Sequence, residues 1–387
     1  MAPQQMTQQQ MQQQNFLARQ AVIANSIKMK QQIFSQAVDT TSQTVVNVTG
    51  NSIRNVGLLL GFVVEVSGAV NTGNTGTATR TPFGAANMVT QFQYNDLSNY
   101  TRIQIPGWYM ALLNSVRQGY GYGGVYANNL PMGYGVNYDV FDGPATIAVS
   151  QTAVPIKMKY YVPIAYSSTD LRGAIWMSTV SATSNLQITL NASPGSNAGN
   201  PINYIYTGNN GTVWNGPVTV TVYQVYLDQV PRDQNGNPIL PVQDLNTVYD
   251  LKQTTFTTPT SGQDFPMAYS NFRAFLSTTA VFDNGGTYNV GSDVNYWSLA
   301  SANFTNIWKV TPQIAALDAR QVIMTDFPAG TYFFESRDIP INTINFGNME
   351  LNLNAAGTVS ASARVLVGYE AFSLVSQLVG ASSLAGG

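Results

Sequence analysis

The stretch PILPVQDLNTVYD (238–250) divides the chain into two long segments of β pattern. Pro238 and Pro241 each lack a backbone donor and fix their own φ, so neither continues a strand interior. Asp244 then suits the cap of a short helical run carrying Leu245, Val248, Tyr249 and Leu251. Two β domains are expected to meet at this helix-like hinge, with a leader of different character in front. A length of 387 residues allows two or three domains. Each half is long enough to bury a core without disulfides or metals.

In the first half, Leu58, Leu60, Phe62, Val64 and Val66 alternate with Glu65 and Ser67, which predicts a half-buried strand. Val154, Ile156, Met158, Tyr160 and Val162 do the same, as do Leu186, Ile188 and Leu190, and then Val218, Val220 and Val222. Residues 71–77 form a turn, 191–216 a polar loop, and Asn235-Gly236 suits a type I′ turn. In the second half a DNGG turn (283–286) separates apolar runs. Ile344 and Phe346 change phase to Met349, Leu351 and Leu353 across Gly347-Asn348, as a β-bulge would require. Val359 to Tyr369 alternate through a last strand. Two helices are predicted, over 106–116 and 311–324, with Pro312 at a first helical position. No apolar run is long enough for a transmembrane helix.

The chain contains neither cysteine nor histidine. That excludes disulfide frameworks, thiol nucleophiles, Ser-His-Asp triads and the usual zinc sites. Gly119, Gly121 and Gly124 match G-x-G-x-x-G, but Asn128, Asn129, Pro131 and Gly133 forbid the helix that would meet a pyrophosphate. Asp233, Asn235, Asn237 and Asp244 fall at positions one, three, five and twelve of a calcium loop. Pro238 stands where that loop needs glycine, which argues against calcium. Catalytic, cofactor and metal residues are therefore expected to be absent. A net charge of −2 offers no basic field for direct nucleic-acid binding. Only 9% of residues are charged, against ~25% in ordinary globular proteins. Such a surface fits a subunit locked among neighbours, and also a secreted β protein with a neutral polar coat.

The first fourteen residues are Gln-rich without apolar periodicity and are expected to be disordered. They have neither the basic start nor the apolar run of a signal peptide. Over 15–38, helical spacing places Phe16, Ile23, Ile27 and Phe34 on one face. Arg19, Lys28 and Lys30 are the only charges before Asp39, so the segment reads as a cationic amphipathic helix. It suits an anionic lipid surface, or packing on a β domain or partner subunit.

The strings VPIAYSSTDLRGA (162–174), TVYQVYLDQVP (221–231) and STTAVFDNGGTYNVGSDVNYW (277–297) resemble the major capsid protein family of tectiviruses, tailless icosahedral phages with an internal membrane. TDFPAGTYF (325–333) and ARVLVGYE (363–370) extend the resemblance in the same order. It runs from about Val56 to Phe372 and is weak in residues 1–55, in the Tyr/Gly loop and in 191–216. The resemblance implies an all-β chain of two jelly-roll (β-sandwich) domains, side by side, with an N-terminal amphipathic helix. The expected division is a leader over 1–40, a first jelly roll over 41–240, a second over 241–372 and a tail over 373–387. It implies a homotrimeric, pseudo-hexagonal capsomer of a virion shell, made in the bacterial host cytoplasm. Expected partners are neighbouring capsomers, minor capsid and vertex proteins, and membrane lipids reached through the leader's Phe16, Arg19, Ile23, Ile27, Lys28, Lys30 and Phe34.

Two other functions compete. A glycoside hydrolase needs only two well-separated carboxylates, and the chain has 19 acidic residues. A carbohydrate- or receptor-binding β protein would use Tyr120, Tyr122, Tyr126, Tyr134 and Tyr138 as its platform. Neither accounts for the cationic leader or the collinear strings.

Overall fold

A computed structural model describes residues 7–50, 52–81, 83–117, 141–177, 183–196, 202–257, 259–270, 273–286, 292–323, 330–337, 340–343 and 347–374. The longer strands of the first half are β1 (Ile27–Val38), β2 (Val45–Val48), β3 (Leu58–Asn71), β4 (Val89–Asn95), β5 (Thr101–Ile105), β6 (Val154–Pro163), β7 (Asn185–Leu190) and β8 (Val218–Asp228). Those of the second are β9 (Thr247–Thr257), β10 (Asp264–Ala268), β11 (Ala274–Asp283), β12 (Val294–Ser301), β13 (Phe304–Val310), β14 (Thr331–Glu335), β15 (Met349–Ala355) and β16 (Arg364–Leu374). Helices α1 (Gln8–Asn25), α2 (Gly107–Arg117), α3 (Val242–Leu245) and α4 (Pro312–Ile323) punctuate them.

In the first half, the sheet β1-β8-β3-β6 faces β2-β7-β4-β5. The alternation foreseen for these strands places Val64, Val66, Met158, Tyr160, Val220 and Val222 against Phe92, Tyr94, Ile103, Leu186 and Ile188 in one core. In the second half, β9-β16-β11-β14 faces β10-β15-β12-β13. Trp297, Leu351 and Leu353 pack there on Ala280, Phe282, Val365 and Val367. The two halves share one sheet. Strands β5 and β9 pair in parallel, Leu251 opposite Ile103 and Lys252 opposite Gln104, so β2-β7-β4-β5-β9-β16-β11-β14 is continuous. Helix α2 occupies the angle between the halves, with every residue from Gly107 to Asn114 buried.

Several expectations are corrected. The leader is not one helix over 15–38. Helix α1 begins at Gln8, where Thr7 and Gln10 form a capping box, and stops at Ser26. Ile27, Lys28, Lys30 and Phe34 lie on β1, which pairs with β8 from Ile27–Asp228 to Val38–Val218. A register shift between Gln32 and Phe34 sets Ile33 and Phe34 side by side and so mimics helical spacing. Residues 8–14, expected to be disordered, are helical.

At the hinge, Pro241 rather than Asp244 holds the cap position, and Val248, Tyr249 and Leu251 belong to β9. At Asn235-Gly236 only Gly236 has positive φ, and its N–H donates to the Asp233 carbonyl. That is a type I turn closed by a left-handed glycine, not type I′. Short strands Gly195–Ser196, Tyr206–Thr207 and Val213–Trp214 cross the expected loop 191–216. Strand β16 runs to Leu374, past the expected end of the second jelly roll at 372. The Tyr/Gly motif at 119–138 and the residues Ile344 and Phe346 lie outside the described residues.

Candidate functional site at the junction of the two halves

Charge is scarce in this chain, yet several of its buried charges meet at the junction of the halves; the Arg102–Asp96 and Arg364–Asp283 pairs lie within the first and second halves. Helix α2 ends on Arg117, whose guanidinium lies between two carboxylates of the second half. It donates to Glu335 on β14 at 2.6 and 3.0 Å, and to Glu370 on β16 at 2.5 to 3.0 Å. Glu370 is fully buried and also accepts from the Tyr249 hydroxyl at 2.5 Å and the Ser277 hydroxyl at 2.8 Å. Burial opposes the Arg117 charge, but the two carboxylates outweigh it and hold its pKa above the ordinary arginine value. Burial, then the Glu370 charge, pushes the Tyr249 phenol well above its usual range.

The other face of the same strand pair carries a second cluster. Alternation along β9 turns Tyr249 and Leu251 toward α2, and Asp250 and Lys252 away from it. Arg273 donates to the buried Asp250 carboxylate, which also accepts from Ser373 at 3.0 Å and Tyr100 at 3.3 Å. Burial raises the Asp250 pKa, with Arg273 opposing it. Lys252 donates to the Thr101 carbonyl and lies 5.5 Å from the centre of the Tyr100 ring. Burial lowers its pKa to about 8 against the pull of Asp250. Tyr100 and Thr101 precede or open β5, so both clusters stitch the first half to the second.

A third contact ties the leader to the hinge. Arg19 donates to both Asp244 oxygens at 2.6 Å, and the Asn15 amide donates to Oδ1 at 2.9 Å. The Asn15 side-chain oxygen, Oδ1, accepts the Gln243 N–H at 2.9 Å. The hydrogen bond to Asp244, against some desolvation, raises the Arg19 pKa. Val22, one turn on, is fully buried among Leu58, Leu60, Leu171 and Leu227. Ile23 is partly buried at the edge of that cluster, whereas Phe16 is 54% exposed. Ile27 and Met29 are exposed on β1, and Lys30 sits 5.0 Å from the Tyr223 ring centre.

The sequence-predicted leader residues are thus split between two elements. Arg19 is committed to an internal ion pair. Asp233 and Asp244 serve structure: Asp233 accepts the Asn235 and Asn237 N–H groups, and Asp244 holds Arg19. Arg117, Glu335, Glu370, Asp250 and Arg273 were not anticipated. Their partners are remote in sequence, and only their rarity in a chain so poor in charge hinted at burial.

The P3 major capsid protein N-terminal model matches residues 1–230, and the P3 major capsid protein C-terminal model matches 246–386. The chain belongs to the P3 major capsid protein family. Major capsid protein P3 of Enterobacteria phage PRD1 is 38% identical over 375 residues, 96% of this chain and 93% of its own length. The fold extends to chains of little sequence similarity. The STIV MCP superposes with TM-score 0.62 at 12% identity, covering 90% of this chain and 97% of that one. The Faustovirus major capsid protein gives 0.52 at 7%, covering 90% and 91%. The protein is a major capsid protein of the double jelly-roll type, a structural component of the virion shell and not an enzyme. The two family models leave 231–245 between them, the stretch where α1 docks.

Proposed function

We propose that this major capsid protein acts as a homotrimer of pseudo-hexagonal outline that tiles a shell over an internal membrane. The observation that carries the trimer is a pair of open sheet edges. Strand β1 bounds the first sheet over twelve residues, nearly all exposed or half-exposed. Strand β13 bounds the last sheet, with Phe304 and Ile307 exposed, and α4 adds exposed Ile314 and Leu317. Long open edges and apolar surface are a liability for a free monomer and are covered in assembled subunits. Sedimentation of the purified protein at micromolar concentration tests this. Three copies per particle are expected, and a folded monodisperse monomer overturns it.

Within each chain the first jelly roll runs from β1 to β8 (27–228) and the second from β9 to β16 (247–374), with α1 as the leader in front of them. The leader faces the membrane. With Arg19 occupied, lipid contact falls to Phe16, Ile27, Lys28 and Lys30. Minor capsid and vertex proteins meet the outer rim of the capsomer. The resemblance to phage PRD1, together with the exposed apolar and cationic residues of the leader, supports this orientation.

A further inference from the structure

The two halves repeat one plan. Counted in chain order, the eight longer strands of each half form a 1-8-3-6 sheet facing a 2-7-4-5 sheet. In both, a helix leaves the fifth strand: α2 follows β5 after Pro106, and α4 follows β13 after Thr311. Inside the chain, the fifth strand of the first half lies parallel to the first strand of the second, β5 beside β9. Among the described strands, the same two positions of the repeat bound the sheets elsewhere in the molecule. They are β13, fifth in the second half, and β1, first in the first half.

The two helices differ in what covers them. The Met110 N–H donates to the Pro106 carbonyl at the start of α2, and the Ala315 N–H to the Thr311 carbonyl at the start of α4. Matching these bonds sets Ile314 against Tyr109 and Leu317 against Leu112. Tyr109 and Leu112 are fully buried in one cluster with Leu251, Val281, Phe333 and Leu366, on the face of the second half's 1-8-3-6 sheet turned away from its own core. Ile314 and Leu317 are exposed, while Pro312, Ala315 and Ala319 of α4 are buried within the chain. The matching face of the first half is also open. Val218, Val220 and Val222 fill the core, so alternation turns Thr219, Thr221 and Tyr223 outward. Val63 and Glu65 stand opposite Tyr223 and Thr221, and all of them are half-exposed. The charged side chains described around this face are Lys30, Lys157 and Lys159, with Glu65 as the acid, 2.8 and 3.7 Å from Lys157 and Lys159. Asp318, next to Leu317, is exposed and of opposite sign.

We propose that α4 and β13 of one copy dock on the outer face of β1-β8-β3-β6 of the next, repeating between chains the contact that α2 and β5 make within one. Strand β13 then lies parallel beside β1, and both open edges are covered. Ile314 and Leu317 sit over Thr221, Tyr223 and Val63 as Tyr109 and Leu112 sit over the second half. Asp318 meets the lysine side of that face. Each copy offers one surface and accepts on a different one, a heterologous contact that can close into a ring. The inference rests on the trimeric reading and adds to it which surfaces meet. Around the ring the same joint alternates within and between chains.

The chain has no cysteine, so engineered pairs report without background. Leu317→Cys is combined in turn with Thr219→Cys, Thr221→Cys or Tyr223→Cys in the full-length protein and oxidised. A disulfide requires Cα atoms within about 7 Å. At least one pair is expected to close between chains and give a trimer-sized band without reductant. Leu317→Cys with Val45→Cys, exposed on the opposite sheet, stays open. Trimers in which no pair closes above that control overturn this inference and leave the trimeric reading standing, whereas a folded monomer overturns both. A monomer-sized, faster-migrating product places both positions on one chain and is equally contrary. Independently, the outward amides of β1 and β13 should exchange slowly in the trimer. Fast exchange along both edges in an intact trimer overturns the proposal.

Discussion

Arg117 and Glu370 stand 253 residues apart in the chain and meet at 2.5 Å, with side-chain exposures of 5% and 0%. Each belongs to a different half, so the pair is a fastening between them. Removing one partner leaves the other buried and uncompensated, which costs about 3–5 kcal/mol. Arg117→Met is expected to lower the thermal midpoint sharply. Adding Glu370→Gln and Glu335→Gln should restore part of it, since no charge then lies buried alone. Calorimetry at fixed protein concentration reads the difference.

Lys252 gives the junction a pH dependence of unusual sign. Its folded pKa is about 8, against an ordinary 10.5. Below pH 8 both folded and unfolded forms are charged, and the folded form bears the full desolvation penalty. From about pH 8 to 10.5 the folded state releases a proton that the unfolded state retains, so stability rises with pH. The buried tyrosines act oppositely but only above pH 10, where Tyr100 is held at about 12. Wild-type protein should gain stability between pH 8 and 10 relative to Lys252→Met. Parallel pH profiles for the two proteins would refute this.

Asp244→Asn weakens the anchor of α1. Charge-assisted hydrogen bonds of this kind contribute about 1.5–3 kcal/mol. Amide exchange should accelerate over residues 8–25 while β3, β8 and β16 stay protected. Uniform acceleration through all strands would place Asp244 in global stability instead.

Gly368 lies under α2, where an added Cβ would approach the Tyr109 ring to 2.5 Å. Tyr109 is fully buried, so the ring can yield only by displacing its packed neighbours. Gly368→Ala should destabilise by about 1–3 kcal/mol, measured by urea titration. Gly286→Ala, with nothing within 4 Å but φ of +96°, serves as a backbone-strain control.

For the leader, Lys28→Gln with Lys30→Gln should weaken binding of intact particles to anionic vesicles by about 1 kcal/mol per charge. Arg19→Gln should act mainly on α1 docking. Equal vesicle binding by all variants would remove the leader from the lipid contact.

The periodicities of β3, β6, β7 and β8 were legible because one face of each is buried. Helices α2 and α4 were legible from Pro106 and Pro312. Strand β1 was not, because it lies on an edge and is exposed over most of its length, with only Ile33, Phe34 and Val38 reaching the core, and its bulge at Ile33 put two apolar residues in succession. The I-K-M-K alternation over 27–30 is the one sequence signal of this strand. The start of α1 was also written in the sequence, as the Thr7–Gln10 capping box and a run of good helix formers. The junction clusters were out of reach. Nothing near Arg117 in the sequence points to Glu335 or Glu370, and the pairing of Tyr100 with Asp250 exists only once β5 and β9 lie together.

The parallel contact of β5 with β9 changes what the proline-marked linker does. Strand β9 is bonded on one side to the first half and on the other, through β16, to the second. Swinging one lobe against the other would tear a sheet from its middle, so the joint behaves as a splice and not a pivot. A shell built from such units must find its curvature between particles. Load placed on one lobe of such a subunit passes to the other through the shared sheet, from β5 across β9 to β16.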